Sequence, residues 1–411
     1  MSGRTVVVLG GGIGGLVAAN GLRRMLGREH RVLVVEKNLR HAFAPSFLWV
    51  MTGDRQQAEI TRDVRNLVRP GIEVIEGEAL AIHPADRRVE TSAGTLNFDY
   101  LIVSLGAELA PESIPASATH TFFTAEGAAK LHEALSSFAG GKIAIVISSL
   151  PYKCPGAPHE GAMLIADFFG KRGMRDKVDI HLFTPEPAPM PVAGPELGEA
   201  VRHMLETKGV TFHPSHKLAR YDPESSELHF EGKEPFHCDL LVTIPPHRSP
   251  EVIRQSGLAN AAGWIPVNYA TLETKHPSAY AIGDITAIPL PGRWKPDVPL
   301  MLPKAGVFAH AEAQIVARRI TQEIAGTREK PQFCADGYCM LEAGQDLAGF
   351  AFGNFFAEPA PQVKLQKIGK TWHLGKVLFE QWWLSPFGLR REVLGATLKL
   401  GAKAYGIPLV L

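Results

Sequence analysis

The residues best suited to chemistry fall into three groups. Gly10, Gly12 and Gly15 fit G-x-G-x-x-G, with Gly14 in the same run, and Glu36 follows about 20 residues on. Glycines at this spacing allow a tight turn and let backbone approach a pyrophosphate. A helix opening there adds free N–H groups and a positive dipole end. Glu36 can accept hydrogen bonds from a ribose and disfavours a 2′-phosphate, so the first group reads as a dinucleotide site. The second group centres on Cys154, in Lys153-Cys-Pro-Gly-Ala-Pro158. A thiol beside a cation and just before a helix is expected to have a lowered pKa and a reactive thiolate. Glu160, near the helix start, is a candidate base, or an acid that only complements the helix dipole. The third group lies late in the chain, with Cys334 and Cys339 followed by Phe350, Phe352, Phe355 and Phe379.

These groups need elements to position them. Residues 5–9 are an apolar β-branched run, 10–15 the glycine turn, 16–26 a helical pattern, and 31–36 a second buried strand ending in the acid. Strand, glycine turn, helix and strand make a βαβ unit. A further buried strand closes on Gly106. A second α/β unit starts at 142–147, continues through a helical pattern at 160–172 and a strand at 179–183, and ends at 238–244. The chain then returns to the first unit near 279–284. The expected fold is α/β, with two Rossmann-like dinucleotide-binding domains in tandem and a C-terminal aromatic and amphipathic region. The expected boundaries are 1–110 with 245–325, then 111–244, then 326–411. A nicotinamide-binding second unit would carry another glycine fingerprint after its first strand. Here 148–158 has three prolines and no such fingerprint, so a nicotinamide donor is disfavoured.

The segment Ala281-Ile-Gly-Asp284 resembles the second flavin signature of two-dinucleotide-domain flavoproteins, in which the acid holds the ribitol chain. The resemblance implies FAD, with Lys37, Gly106, Gly283, Asp284, Lys304 and Gly306 joining Gly10, Gly12, Gly14, Gly15 and Glu36 as cofactor residues. Pro303-Lys-Ala-Gly306 leads a helix whose N-terminus could face the flavin pyrimidine. Over nearly the whole chain the sequence resembles the sulfide:quinone oxidoreductases and the related flavoprotein subunit of flavocytochrome c sulfide dehydrogenase. Lys153-Cys-Pro-Gly-Ala-Pro158 together with the late Cys-x-x-Glu-x-Gly at Cys339 is the specific part. The resemblance implies that Cys154 and Cys339 carry sulfur chemistry beside the flavin, with sulfide as substrate and a membrane quinone as acceptor. Cys334 is the competing partner, and Cys238 reads as core. Some family members have a third active-site cysteine where this chain has Phe123, which puts their longer polysulfide route in doubt.

Phe350, Phe352, Phe355 and Phe379 are the expected quinone contacts. From 388 to 405, Leu389, Val393, Leu394, Thr397, Leu400 and Ala404 share a helical face, with Arg390, Arg391, Lys399 and Lys403 largely elsewhere. A basic amphipathic helix beside paired tryptophans reads as an interfacial anchor; domain packing is the plainer alternative. No run approaches the roughly 18–20 apolar residues that span a bilayer. The opening residues lack a signal peptide's apolar region. The expectation is therefore a peripheral membrane protein, with homo-oligomerisation left open. A formal net charge of +1 gives no reason to expect nucleic acid, four cysteines in 411 residues are too few for a disulfide scaffold, and no metal site is expected. The alternatives are a cytochrome-coupled sulfide dehydrogenase subunit, a type 2 NADH:quinone dehydrogenase, and a non-catalytic flavin or redox sensor.

Overall fold

The computed structural model describes residues 3–111, 119–327, 331–407, 409 and 411. The first sheet takes β1 (Thr5–Leu9), β2 (Arg31–Glu36), β3 (Glu73–Glu76) and β4 (Tyr100–Val103) from the start of the chain, with helix α1 (Ile13–Met25) between β1 and β2. The inner strands are buried on both faces, Val6, Val7, Val8 and Leu9 wholly so, as expected for strands covered on both sides, while Val74 and Ile75 on the edge strand are half-buried. Gly10 turns the chain with φ 101°. Its neighbour in space is Gly15, where a Cβ would lie 1.8 Å from the Gly10 carbonyl oxygen. Only glycine lets helix and strand pack this closely.

The second unit holds β5 (Gly141–Ile147), helix α2 (Ala157–Lys171), β6 (Val178–Phe183), β7 (Val210–His213) and β8 (Leu240–Ile244). They form a parallel sheet in the order β7–β6–β5–β8. The chain then comes back as β9 (Ala279–Ala281), which lies parallel to β4 and completes the first sheet as β9–β4–β1–β2–β3. Helix α3 (Gly306–Ala325) follows and covers that sheet beside α1.

The last segment goes beyond the expectation of an aromatic region ending in helix. It contains an antiparallel sheet of β10 (Asp336–Gly344), β11 (Leu347–Asn354) and β12 (Gln362–Gly369). Two helices follow, α4 (Lys370–Leu384) and α5 (Leu389–Ala404). Cys339 is on β10, the paired tryptophans are on α4, and the basic amphipathic pattern is α5.

Candidate active site

Glycines 10, 12, 14 and 15 sit at the carboxyl edge of β1, and Gly12 caps α1 with no side chain satisfying the first N–H groups. A Cβ on Gly12 would meet nothing within 4 Å. The loop is open where phosphates approach. Glu36 braces it, accepting the Gly11 N–H at 2.6 Å and the Asn38 N–H at 2.9 Å. A carboxylate offers about four acceptor positions, so Glu36 keeps capacity for a ribose. Lys37 is exposed and its ammonium lies 3.3 Å from Glu78. Gly106 takes φ 68° with open space around it.

The second half of the cradle comes from β9 and α3. Gly283 has φ 76° and gives its N–H to the buried Glu312 carboxylate at 2.5 Å. Burial and the neighbouring Asp284 push the Glu312 carboxyl up to about 7, against that hydrogen bond. Asp284 Oδ1 is buried and has no hydrogen-bond partner among the described residues. Such an orphaned acceptor fits a hydroxyl donor such as ribitol supplies. Helix α3 also starts without a side-chain cap, and its Gly306 abuts Ile13 at the start of α1. Two free helix N-termini therefore meet at one edge of the sheet, and the residues present fit FAD.

Lys304 is not free to roam. Its Nζ donates to the carbonyls of Asp284 (2.7 Å) and Thr286 (2.9 Å) and stands 3.6 Å from the centre of the Trp264 ring. Burial brings its ammonium down to about 8. Its carbonyl accepts the Cys154 N–H at 2.7 Å, so the Pro303–Gly306 turn is tied to the cysteine loop. Lys304 therefore also bridges two halves of the site.

Cys154 and Cys339 line one cavity of about 670 Å³, with Tyr152, Trp264, Lys304 and Phe355 in its walls. All four cysteines are unbridged. Cys154 has φ 56°, a conformation that costs a non-glycine residue free energy and concentrates at functional sites. Its thiol is accessible from the cavity while protein encloses the cavity around it. The expected low pKa is corrected: burial first, then the Glu160 carboxylate, push the Cys154 thiol up to about 12, with Lys376 opposing. The same causes raise Cys339. Enclosure outweighs the helix start and the adjacent lysine. Cys334 is exposed like Cys154 but does not line this cavity, with only a weak contact to the Gln332 carbonyl, and Cys238 is buried in the second unit's core.

Beside the thiols lies a buried ion network that sequence reading missed. Glu160 Oε1 is 2.6 Å from Lys376 Nζ and accepts the Glu342 N–H at 3.0 Å. Lys376 is 4.0 Å from the Glu342 carboxylate, which is 2.9 Å from His373 Nδ1. The two carboxylates hold the Lys376 ammonium strongly protonated against its burial. Glu160 is thus committed to an ion pair rather than standing free as a base. The only hint in sequence is that the Cys-x-x-Glu-x-Gly pattern contains Glu342.

The four phenylalanines do not converge. Phe350 stacks on Trp372 (4.7 Å) and Phe352 on Phe350 (5.9 Å) in a satellite cluster. Phe355 packs on Phe308 at the cysteine cavity. Phe379 lies 6.1 Å from Phe43. Phe350 and Phe352 thus pack around Trp372 of α4, Phe355 at the cysteine cavity and Phe379 on Phe43, in separate places. A second missed contact ties the tail to the glycine loop: Trp383 Nε1 donates to His41 Nε2 at 2.9 Å, and His41 Nδ1 is 3.2 Å from the Gly11 carbonyl oxygen.

The family described as pyridine nucleotide-disulphide oxidoreductase matches residues 4–311. The chain belongs to that family. It is an FAD-binding oxidoreductase. It is 26% identical to the mitochondrial sulfide:quinone oxidoreductase of mouse, over 86% of this chain and 79% of the relative. The solved sulfide:quinone oxidoreductase of Aquifex aeolicus superposes with a TM-score of 0.82 at 24% identity, covering 98% of this chain and 94% of that one. The type II NADH:quinone oxidoreductase of Staphylococcus aureus is more distant, at 21% identity over 85% of this chain and 90% of the relative. Among the described residues no helix is long and apolar enough to cross a membrane.

Proposed function

We propose that this flavoprotein is a sulfide:quinone oxidoreductase working at a membrane surface, with Cys154 and Cys339 as its redox pair. The observation that carries the reading is the shared cavity: a cysteine from the loop after β5 and one from β10 face the same enclosed space beside the Asp284–Lys304 edge of the flavin cradle. In the oxidised, bridged state of the pair, hydrosulfide attacks one sulfur. The S–S bond breaks, one cysteine becomes a persulfide, and the other leaves as a thiolate. The outer sulfur of the persulfide passes to a second hydrosulfide, which leaves as hydropersulfide and returns that cysteine to a thiol. FAD, when bound, would supply the two-electron acceptor that re-forms the bridge, with quinone as the final acceptor. The protein's own contribution is electrostatic. A thiolate formed in so enclosed a place is poorly stabilised, so it is a strong electron donor, while Lys376 limits the cost of its negative charge. The largely apolar cavity wall suits entry of neutral hydrogen sulfide.

Two features speak against NADH as donor. The loop after β5 runs onto Lys304 through the Cys154 N–H instead of forming a phosphate cradle. Glu186, just past β6 where a ribose-binding acid would stand, is buried and accepts the Tyr152 hydroxyl at 2.9 Å. On the acceptor side, Phe379 is the phenylalanine we retain for the quinone, since it packs between Phe43 and Trp382 on the helix leading to the tail. Leu389, Val393 and Leu400 on α5 are 77%, 56% and 70% exposed. An apolar face of this kind on a basic helix suits an interfacial anchor.

Anaerobic titration of the holoenzyme tests the reading. Sulfide is expected to bleach the flavin band and NADH to leave it. Cys154→Ser and Cys339→Ser should each keep FAD and slow bleaching by at least about a hundredfold, as for loss of an essential nucleophile, while Cys334→Ser and Cys238→Ser keep the parent rate. Fast bleaching by NADH would turn the assignment to the NADH:quinone dehydrogenases.

A further inference from the structure

Away from the cysteines, α1, α3 and α5 enclose a second cavity of about 400 Å³. Its walls are amphipathic. Leu16, Leu67, Trp382 and Phe387 supply apolar surface, and Arg24, Arg69, Arg391 and Lys399 supply four cations. None of the four forms an ion pair among the described residues, and the lining also holds Glu392 and Leu411. The cations are placed rather than scattered. The guanidiniums of Arg69 and Arg391 both lie over the Phe387 ring, at 4.7 and 4.6 Å from its centre. Arg391 is fixed further by donating to the Trp383 and Ser385 carbonyls at 3.0 and 2.8 Å and by lying over Trp382 at 4.5 Å. Burial first, and then the nearby Arg69, bring Arg391 down to about 10.

We infer that this cavity binds the phosphate headgroup of an anionic membrane phospholipid, with its acyl chains leaving along the exposed apolar face of α5. Two fixed guanidiniums offer the planar, multiply donating surface that phosphate oxygens favour. A neutral quinone would need no such charge, and a free inorganic ion would need no tryptophan and leucine walls. On α5, Arg391 and Lys399 are eight residues apart and share the face toward the cavity. Leu389, Val393 and Leu400 face out, nearly opposite Arg391 at about 100° per residue, and Ala396 on the cavity lining is where that apolar face meets the headgroup site.

The inference rests on the membrane reading above, and the test separates the two. Holoenzyme is titrated by calorimetry with dihexanoyl phosphatidylglycerol below its micelle concentration, with dihexanoyl phosphatidylcholine, and with inorganic phosphate. Saturable binding of one phosphatidylglycerol is expected, at least about tenfold tighter than phosphatidylcholine and not displaced by equimolar phosphate. Arg24→Gln/Arg69→Gln, which leaves α5 intact, should weaken it by about tenfold or more while flavin content and sulfide bleaching stay at parent levels. Equal binding of the two lipids, displacement by equimolar phosphate, or undiminished binding in the double variant would each overturn the site. Pelleting with vesicles is scored separately. Pelleting without short-chain lipid binding retains the anchor and removes the site; short-chain binding without pelleting does the reverse.

Discussion

Lys376 holds a single ammonium between Glu160 and Glu342, with little water to screen it. Removing it leaves two buried carboxylates short of a counter-charge, which costs about 3–5 kcal/mol for a broken buried pair. Lys376→Met is therefore expected to lower the denaturant midpoint sharply, and Glu160→Gln/Lys376→Met to regain most of the loss. A coupling energy under about 0.5 kcal/mol in that double-mutant cycle would show the pair to be energetically idle. Histidines give the pH response. Burial lowers His41, His159, His213, His247 and His310 to about 4 from 6.5. Each stays neutral when folded and takes up a proton when unfolded, so its contribution is full above about pH 6.5 and is lost as pH falls through 4. Glu186 and Glu312, raised to about 6 and 7, run oppositely and lose their contribution as pH rises through those values. A difference measurement isolates one histidine. The stability advantage of the parent over His213→Phe should shrink between pH 7 and pH 5, and an advantage constant over that range would contradict the assignment.

At the scale of elements, β1, α1 and β2 were legible because a period of buried β-branched residues, a glycine turn and a 3.6-residue pattern all agree locally. The outward face of α5 was legible for the same reason, and Leu389, Val393 and Leu400 are among its exposed residues. The β10–β11 hairpin was not. Its turn places Gly344, Gln345 and Asp346 at positive φ without the Asn-Gly or Asp-Gly pair that signals such turns. Lys376 was hidden for another reason: its partner Glu160 is 216 residues away, and no sequence period reports a pairing of that range. The α5 face carries its own prediction. Leu389→Gln/Val393→Gln/Leu400→Gln changes exposed positions only, so unfolding free energy should move by no more than about 0.5 kcal/mol per site. Vesicle pelleting should be largely lost and sulfide bleaching kept. Full pelleting by the folded triple variant would mean that the face does not meet the membrane.

For the whole molecule, the cofactor cradle joins β1, β9, α1 and α3, residues far apart in the chain. FAD should therefore act as a brace. A ligand bound only by the folded state adds about 4 kcal/mol at a free concentration a thousand times Kd. Stripping the cofactor should lower Tm by many degrees and adding it back should restore it; a Tm indifferent to FAD would discredit the two uncapped helix ends as its seat. The position of β9 also fixes a calendar. Its partner β4 leaves the ribosome some 175 residues earlier, so the first sheet waits roughly 10–35 s at ~5–20 residues/s for its last strand. In that interval the whole second sheet has been made. The guest is thus complete before its host, and a nascent chain arrested near residue 285, with β8 outside the exit tunnel and β9 still within it, should hold β5 to β8 protected from protease while β1 to β4 are still cut.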